Sequence, residues 1–201
     1  MSKPRLQTDK LAVFFQAFLK RPHQVGSIIP SSRFLEQRIV HLAGLDSAQV
    51  IVELGPGTGG TTRALLRAMR HNAKLLSIEI NPGFVTVLRE VRDSRLIVHE
   101  GDASEVAHAI SRHRLRAPDV VISGIPFSTM ARERGAEVLQ SVFGALAPGG
   151  RFVAYQLRDR VETIGRAIFG PPQVEFEFRN IPPMRLYRWN KPAKVVEARS
   201  V

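Results

Sequence analysis

Short apolar segments alternate with helical patterns from residue 50 onward, and this alternation restricts the fold more than any other feature of the sequence. The apolar segments lie at 50–54, 74–80, 96–99, 119–122 and 151–156. Helical spacing of apolar residues is found at 61–70, 104–113 and 131–146, and Pro82 can open a further helix. Short strands that alternate with helices form a parallel sheet covered by helices on both faces. The sequence therefore predicts an α/β fold.

The C-terminal part of the chain has a different pattern. Apolar and polar residues alternate over Gln173–Arg179, turn residues follow at 180–183, and Met184–Asn190 has the composition of a partner strand. Two such segments joined by a short turn form an antiparallel hairpin. We expect this hairpin at the sheet edge, which gives a doubly wound, Rossmann-like sandwich with a mostly parallel seven-stranded sheet.

The composition limits the classes of protein to which the chain can belong. With 201 residues, of which 44% are hydrophobic, the chain fits one globular domain with a core. It has no cysteine, which excludes disulfides and thiolate metal sites, and we predict no metal. No apolar run reaches the about 18 residues of a membrane span, and the N-terminus lacks a signal-peptide pattern. We therefore expect a cytoplasmic protein.

The charge balance points to anionic partners. The formal net charge is +11 at pH 7 and the sequence pI is about 11.1. A chain of this kind favours nucleic acid or an acidic lipid surface, although a generally basic protein without such a partner would have the same balance. Charge alone does not decide among these interpretations.

The N-terminal segment is amphipathic. Residues 9–20 place five apolar side chains on one face of a helix, and lysines and arginines flank that face. One interpretation is a helix that lies on an anionic membrane, where each basic residue contributes roughly 1 kcal/mol. The other is a helix packed on the core. We divide the chain into residues 1–23, the amphipathic helix, and residues 24–201, the main domain, in which Ser31 or Ser32 can cap a helix that runs to about Leu42.

A glycine-rich loop follows the first predicted strand. It has the sequence ELGPGTGG over residues 53–60 and leads into a predicted helix. Glycines let the backbone turn sharply and approach a ligand closely, and the following helix offers free N–H groups. In open parallel sheets, ligands bind beyond the carboxyl ends of the strands. By itself, such a loop could also be a tight turn without a ligand.

Two carboxylates end the next two strands. Glu79 ends the second strand, where a carboxylate can accept hydrogen bonds from both hydroxyls of a ribose. Asp102 follows the third strand, where it can accept from an adenine amino group. Either acid alone could be a solvated strand-end residue. Three such features at the ends of three successive strands favour a nucleoside site.

The order of these features resembles the motif series of class I S-adenosylmethionine-dependent methyltransferases. The glycine spacing is G-x-G-x-G rather than the G-x-G-x-x-G of nicotinamide sites, and the loop lacks the lysine of a phosphate-binding loop. The resemblance implies S-adenosylmethionine as the cofactor. The residues that it implies for binding are Gly55, Gly57 and Gly59 at the methionine and ribose, Glu53 at the loop and the methionine amino group, Glu79 and Ile80 at the ribose, and Gly101, Asp102 and Ala103 at the adenine.

The fourth strand leads into the sequence SGIPF at residues 123–127. This segment resembles the Asn-Pro-Pro-Tyr or Asn-Leu-Pro-Tyr motif that amino-methylating members of the class have at the same place. In that motif the Asn accepts a hydrogen bond from an adenine amine. Gly124 stands where that Asn would be, which favours an alkyl amine as the acceptor. The implied catalytic residues are Ser123, Gly124, Pro126 and Phe127, with Ser123 also at the cofactor. Phe127 could steady an ammonium by cation–π attraction, or it could be a buried side chain after a turn.

A narrower resemblance covers most of the chain. The segments at 18–22, 25–32, 52–59, 123–126 and 180–183 resemble the bacterial phospholipid N-methyltransferases, which convert phosphatidylethanolamine towards phosphatidylcholine. Residues 127–130 depart from the more leucine-rich continuation of that family. The resemblance implies a peripheral protein at the inner face of the membrane. It implies that Lys20 or Arg21 holds the lipid phosphate, that the loop Gly26–Ser32 with Ser27 closes over the cofactor, and that Tyr187 contacts the substrate.

The expected activity is therefore N-methylation of phosphatidylethanolamine head groups. The general base is open among Tyr155, Tyr187 and His23. The chain also resembles, more distantly, the rRNA adenine dimethyltransferases, so RNA is a second possible acceptor. The basic charge supports this alternative, and the missing Asn opposes it. A soluble small-molecule methyltransferase and a catalytically silent binding protein are further alternatives.

Overall fold

The structure, a computed structural model, describes residues 31–193. The predicted amphipathic helix and its domain, residues 1–23, lie outside the described residues. The same holds for Lys20, Arg21, His23 and Ser27, so their predicted roles stay predictions.

A seven-stranded sheet forms the centre of the described part of the chain. Its order is β3-β2-β1-β4-β5-β7-β6, in which β1 to β5 run parallel and β7 pairs antiparallel with both β5 and β6. This arrangement confirms the predicted Rossmann-like sandwich with an antiparallel hairpin at one edge. The strands are β1 (Val50–Leu54), β2 (Lys74–Glu79), β3 (Leu96–Glu100), β4 (Val120–Ser123), β5 (Arg151–Gln156), β6 (Gln173–Glu177) and β7 (Met184–Asn190).

Six α-helices of the described residues connect and cover the strands. Local signals fix several of their ends. The hydroxyl of Ser32 accepts a hydrogen bond from the Leu35 N–H at the start of α1, and Gly44 ends that helix in a left-handed conformation. Asn81 caps α3 and Pro82 takes its first position. The helices are α1 (Arg33–Ala43), α2 (Gly60–Ala68), α3 (Pro82–Arg89), α4 (Val106–Arg112), α5 (Arg132–Ala145) and α6 (Arg160–Phe169).

The core lies on both faces of the sheet. On one face, side chains of α1 and α2 such as Leu35 and Leu65 pack on Ile51 and Val153. On the other face, α4, α5 and α6 cover a second cluster. Alternate residues of a strand point to opposite faces, so a central strand such as β1, which is buried along its whole length, contributes to both clusters.

Two elements differ from the sequence prediction. Helix α6 was not predicted, although Val161, Ile164 and Ile168 have helical spacing. Strand β6 ends at Glu177 rather than Arg179, so Phe178 and Arg179 belong to the turn that leads to β7. The alternation of apolar residues continues past the last residue that pairs with β7, which is why the pattern overestimates the length of the strand.

The strand directions bring several loops to one edge of the sheet. The carboxyl ends of β1 to β5 lie together at this edge because these strands are parallel. Strand β6 is antiparallel to β7, which is itself antiparallel to β5, so the turn at 178–183 lies at the same edge. Within residues 31–193, no helix has both the length and the apolar character needed to cross a membrane.

Two helical glycines should respond in opposite directions to replacement by alanine. A Cβ at Gly165 would lie 2.8 Å from Cζ2 of Trp189, in the core, whereas a Cβ at Gly144 would meet nothing within 4 Å. We expect Gly165→Ala to lower the free energy of unfolding by about 1–3 kcal/mol through overpacking. Gly144→Ala should raise it by about 0.5–1 kcal/mol, because alanine loses less backbone entropy in a helix. Urea denaturation of both variants measures the two changes, and equal changes would contradict the described packing.

Candidate cofactor and acceptor site

A cleft of about 600 Å³ opens at the carboxyl edge of the sheet. Its walls come from the loops after β1, β2, β3, β4 and β5, together with the first turn of α5. Volume and position are those of a small-molecule site in an open α/β sheet. Of the sequence-predicted site residues, the cleft is lined by Gly55, Gly57, Glu79, Ile80, Gly101, Asp102, Ala103, Gly124 and Pro126.

The loop after β1 turns through conformations that favour glycine. Gly55, Gly57 and Gly59 all have positive φ, at 68°, 56° and 80°. At Gly55 a Cβ would also lie 3.0 Å from Cγ1 of Ile125, so this position is restricted by space as well as by conformation. Gly59 does not line the cleft, because the side of its backbone that a Cβ would occupy faces Leu88 of α3. The predicted contact of Gly59 with the cofactor is therefore not part of the described geometry.

Glu79 connects the glycine loop to β2. Its Oε2 accepts a hydrogen bond from the Gly57 N–H at 3.0 Å, and its Oε1 accepts from the Asn81 N–H at 2.9 Å. Burial raises the pKa of this carboxyl group, and the backbone hydrogen bonds oppose that rise. Each carboxylate oxygen has a second lone pair, so Glu79 can still accept from ligand hydroxyls in the cleft.

Asp102 is held by two neighbours at the end of β3. Its Oδ1 accepts from the N–H and the hydroxyl of Ser104, both at 2.8 Å, and it forms an ion pair with Arg134 of α5 at 2.7 Å. Burial favours the neutral form, but these hydrogen bonds outweigh it and lower the pKa of Asp102. The carboxylate is thus ionised at neutral pH and positioned as an acceptor at the cleft.

Glu53 lies in β1, directly before the glycine loop, and does not line the cleft. It is 1% exposed, and its Oε2 accepts from the hydroxyls of Thr62 at 2.6 Å and Ser77 at 2.8 Å. Its Oε1 is buried and has no protein partner. Burial raises the pKa of Glu53 to about 7, against the effect of the two hydroxyls. These contacts join β1 to α2 and β2, and the predicted role of Glu53 at the loop and the methionine amino group stays a prediction.

Two predicted catalytic residues point away from the cleft. Phe127 is 0% exposed and packs in the core with Val138 and Leu139 of α5. Its predicted cation–π contact with an acceptor is therefore wrong, and the alternative of a buried side chain after a turn is correct. Ser123 is also 0% exposed, and its Oγ accepts a weak hydrogen bond from the Ile125 N–H at 3.3 Å, so the hydroxyl shapes the turn instead of facing a ligand.

Tyr155 of β5 occupies the space beside Gly124. A Cβ at Gly124 would lie within 2.8 Å of Cζ of Tyr155 and closer still to its hydroxyl. The hydroxyl lies 3.3 Å from Oγ1 of Thr61, and both Tyr155 and Gly124 line the cleft. Burial raises the pKa of Tyr155, and the nearby Glu53 carboxylate raises it further. Tyr155 therefore keeps its proton and is a poor general base.

Tyr187, the other tyrosine that the sequence suggested as a substrate contact or base, lies in the core. It is 0% exposed and stacks on Trp189, with ring centroids 5.8 Å apart. It belongs to the core cluster that α6 covers with Val161 and Ile164, so the predicted contact with substrate is wrong. The second strand of the hairpin thus contributes to the cleft through Met184 at its first position and not through this tyrosine.

Sequence reasoning missed several residues that complete the cleft. Arg134 holds Asp102, and Gln156 ends β5, where its amide donates to the Ile125 carbonyl at 2.7 Å and accepts from the Phe127 N–H at 3.2 Å. These bonds fix the loop after β4. The position of Gln156 at a strand end was the available signal, whereas a helical arginine gives none.

Comparisons with known proteins agree with this geometry. Residues 51–150 match the family model of a methyltransferase domain. The chain is 29% identical over 178 residues to an ornithine lipid N-methyltransferase of Singulisphaera acidiphila, covering 87% of this chain and 93% of that protein. It is 36% identical over 95 residues to the ribosomal RNA small subunit methyltransferase A of Caulobacter vibrioides, which covers 46% of this chain and 34% of that protein.

A solved structure extends the agreement to the fold. The RNA methyltransferase of Salinibacter ruber, in complex with S-adenosyl-L-homocysteine, superposes with a TM-score of 0.60 at 21% identity over 86% of this chain and all of that chain. The sheet order, the glycine loop and the family match together define a class I S-adenosylmethionine-dependent methyltransferase. The chain is an enzyme of this class, and its cofactor is S-adenosylmethionine.

The residues of the cleft fit this cofactor. Two carboxylates, Glu79 and Asp102, face a space in which ribose hydroxyls and an adenine amine need acceptors. Ile80 lines the same wall with 66% of its surface exposed, which gives an apolar contact for a base. Glu53 does not line the cleft, so its buried Oε1 adds nothing to this fit.

The buried Glu53 carboxyl group makes a specific contribution to the pH dependence of stability. Its folded pKa of about 7 lies above the ordinary value of 4.5, so between these values the folded state holds a proton that the unfolded state has released. This group therefore makes stability fall as pH rises from about 4.5 to about 7. The isosteric Glu53→Gln variant lacks this group. We therefore expect its free energy of unfolding, relative to that of the wild type, to rise by up to about 3 kcal/mol between pH 4.5 and pH 7.

Denaturation without cofactor at pH 5, 6, 7 and 8 measures this change. The exposed strand-end variant Glu100→Gln controls for the loss of one negative charge. A constant difference between Glu53→Gln and the wild type at all four pH values would contradict the described burial.

Proposed function

We propose that this methyltransferase transfers a methyl group to the primary amine of a membrane lipid head group, with phosphatidylethanolamine as the first acceptor to test. The observation that carries the proposal is the pairing of Gly124 with Tyr155 at the acceptor side of the cleft. Adenine-specific relatives need an amide side chain after β4, and here a tyrosine hydroxyl takes that space. An alkyl amine needs no planar amide partner, because it is intrinsically nucleophilic once it has lost its proton.

The cofactor is assigned to the opposite wall. When bound, S-adenosylmethionine supplies an electrophilic methyl group on a sulfonium centre. We assign the ribose hydroxyls to Glu79, the adenine to Asp102 and Ile80, and the methionine amine to the loop above Glu53. Hydrogen bonds to Gly57, Asn81, Ser104 and Arg134 already hold the carboxylates of Glu79 and Asp102, so little reorganisation is needed on binding.

The chain's own contribution at the acceptor side is positioning. If the Tyr155 hydroxyl donates to Thr61 and accepts from Ser31, one oxygen lone pair is left to accept from an amine N–H. The raised pKa of Tyr155 keeps it from acting as a base, so we assign proton loss from the acceptor ammonium to water at the cleft mouth. Closing of the loop Gly26–Ser32, with Ser27, and capture of the lipid phosphate by Lys20 or Arg21 belong to the same proposal. Of these residues, only Ser31 and Ser32 lie within the described part of the chain.

The relatives support a lipid acceptor. The similarity to the ornithine lipid N-methyltransferase spans nearly all of both chains, and its acceptor, by name, is a lipid. Ornithine lipid is therefore the second acceptor to test. Phosphatidylethanolamine and ornithine lipid both present a primary amine, so Tyr155 could serve either. In both cases we propose that the enzyme works at an anionic membrane surface, as a peripheral protein on its inner face.

Ribosomal RNA is the second candidate acceptor. The net charge of +11 and the identity of 36% over 95 residues favour it. Against it stands Gly124, which offers no amide for an adenine amine. The chain also covers only about a third of the rRNA methyltransferase that it matches, so the activity of that whole protein is not carried over.

Labelled S-adenosylmethionine separates the candidates in one assay. The protein is incubated with vesicles that contain phosphatidylethanolamine, with vesicles that contain ornithine lipid, or with ribosomal RNA, and each product is separated by chromatography. We expect label in one of the two lipid arms. Label in the RNA arm alone, or in none of the arms, would overturn the proposed function.

Tyr155→Phe should impair acceptor use without affecting cofactor binding. Removal of the hydroxyl leaves the amine without one hydrogen-bond partner, so we expect kcat/KM for the lipid to fall by about ten-fold. The dissociation constant of S-adenosylmethionine, measured by calorimetry, should not change. Glu79→Gln is the matched contrast, because it should weaken cofactor binding through the loss of a charged acceptor. If Tyr155→Phe weakened cofactor binding as much as Glu79→Gln, the assignment of Tyr155 to the acceptor side would be wrong.

A further inference from the structure

We propose that the turn between β6 and β7 inserts into an anionic phospholipid bilayer and points the mouth of the cleft at the membrane. This inference rests on the proposed function and adds to it the surface that contacts the lipid. The surface consists of Phe176, Phe178, Arg179, Ile181 and Arg185, and we refer to it as the turn surface.

The turn surface exposes large apolar side chains that the fold does not bury. Ile181 is 90% exposed and Phe178 is 74% exposed, whereas the large apolar residues of the neighbouring β7 are buried. The Phe178 ring stacks on Phe176, itself 43% exposed, with centroids 5.9 Å apart and an interplanar angle of 12°. A contiguous apolar patch of this kind is costly in water and marks an interaction surface.

Its charges favour an anionic partner. Arg185 lies over the ring of Phe176 at 5.5 Å, and Arg179 lies over the ring of Phe34 at 4.2 Å. The two acids of β6 are already paired, Glu177 with Arg38 and Arg179, and Glu175 with Arg38. Of the arginines near the turn, Arg38 and Arg179 are held by these acids, and Arg185 is the one that they do not pair. Exposed apolar side chains beside Arg185 match a surface of phosphates over acyl chains, where this arginine can bind a phosphate.

The turn surface lies beside the mouth of the cleft. Strand directions place residues 178–183 at the carboxyl edge of the sheet, and Met184, directly after the turn, lines the cleft. Leu157 and Arg158, in the loop after β5, also line the cleft, and Leu157 is 42% exposed. A lipid amine can reach the cleft only if this edge faces the bilayer. The exposed apolar residues therefore lie where a lipid-modifying enzyme needs them.

A buried asparagine holds the turn in this shape. Asn180 is 1% exposed, its Oδ1 accepts from the Ser32 N–H at 2.9 Å, and its Nδ2 donates to the Pro182 carbonyl at 2.9 Å. The side chains of Phe178 and Ile181 are thus presented by a fixed backbone. The bond to Ser32 also joins the turn to the start of α1.

A tryptophan reporter tests insertion directly in the full chain. The chain has a single tryptophan, Trp189, which is 2% exposed in the core and gives a constant background. Ile181→Trp adds a reporter on the turn surface. Val174→Trp adds one at the opposite end of β6, where the native side chain is 38% exposed, and serves as the matched control. Both variants are mixed with phosphatidylethanolamine–phosphatidylglycerol vesicles that carry bromine on the acyl chains.

We expect bromine to quench the emission of Ile181→Trp and to leave that of Val174→Trp unchanged. Equal quenching of both, or of neither, would overturn the proposal. Emission of Ile181→Trp that is already blue-shifted without vesicles, and that bromine does not quench, would mean that another part of the chain covers the turn surface. A blue shift of the Ile181→Trp emission that appears without vesicles only at high protein concentration would mean that a second copy of the chain covers the turn surface. Either result would overturn membrane insertion.

Polar substitutions separate this proposal from the proposed function. We expect Phe178→Ser and Ile181→Ser each to lower the vesicle-bound fraction in sedimentation, by about ten-fold in partition coefficient for full loss of a buried side chain. Val174→Ser should have no such effect. Methyl transfer to the same lipid dissolved in detergent should stay unchanged in all three variants. Normal vesicle binding by the two turn variants would overturn the turn proposal alone, and absence of transfer to any lipid by the wild type would overturn the proposed function alone.

Discussion

The carboxylate of Glu79 is the contact on which the rest of the site depends. It joins the glycine loop to the end of β2 through the N–H groups of Gly57 and Asn81, and so it fixes the width of the crevice between the loops after β1 and β2. The same two oxygens face the cleft, where the ribose is assigned. A single buried acid therefore holds these loops together, and under the proposed function the same acid binds the ribose. The backbone donors oppose, without cancelling, the rise in its pKa that burial causes.

Much of the fold was predictable because it follows from periodicity and from glycine and proline signals. The five parallel strands, the loop after β1 and the hairpin at the edge were all visible in the sequence. Helix α6 was missed, although Val161, Ile164 and Ile168 give it a helical spacing that the sequence shows. Glu79 and Asp102 were predicted from their places at strand ends, where the backbone direction alone determines which edge they reach.

The acceptor side was harder to predict because side-chain direction decides it. Motif position suggested Phe127 as an aromatic platform, but the turn after Pro126 directs its ring into the core. Tyr187 lies only a few residues from the cleft along β7, but its side chain points to the face that α6 covers and is buried there. Tyr155 had been suggested as a base, and its enclosed hydroxyl instead makes it a neutral hydrogen-bonding group. Neither burial nor side-chain direction at these positions leaves a signal in a single sequence.

The close approach of Tyr155 to Gly124 has an evolutionary consequence. The two residues lie on neighbouring strands in fixed register, since Ser123 pairs with Ala154. A mutation that introduced a larger side chain at position 124 would collide with the tyrosine ring, and loss of the tyrosine alone would leave a hole beside the glycine. A lineage that changed from one class of amine to another would therefore have to pass through a damaged intermediate or alter both positions together. Under the proposed function, in which Tyr155 contacts the acceptor amine, such epistasis would keep acceptor preference constant within a branch of the family even while the surrounding surface diverges.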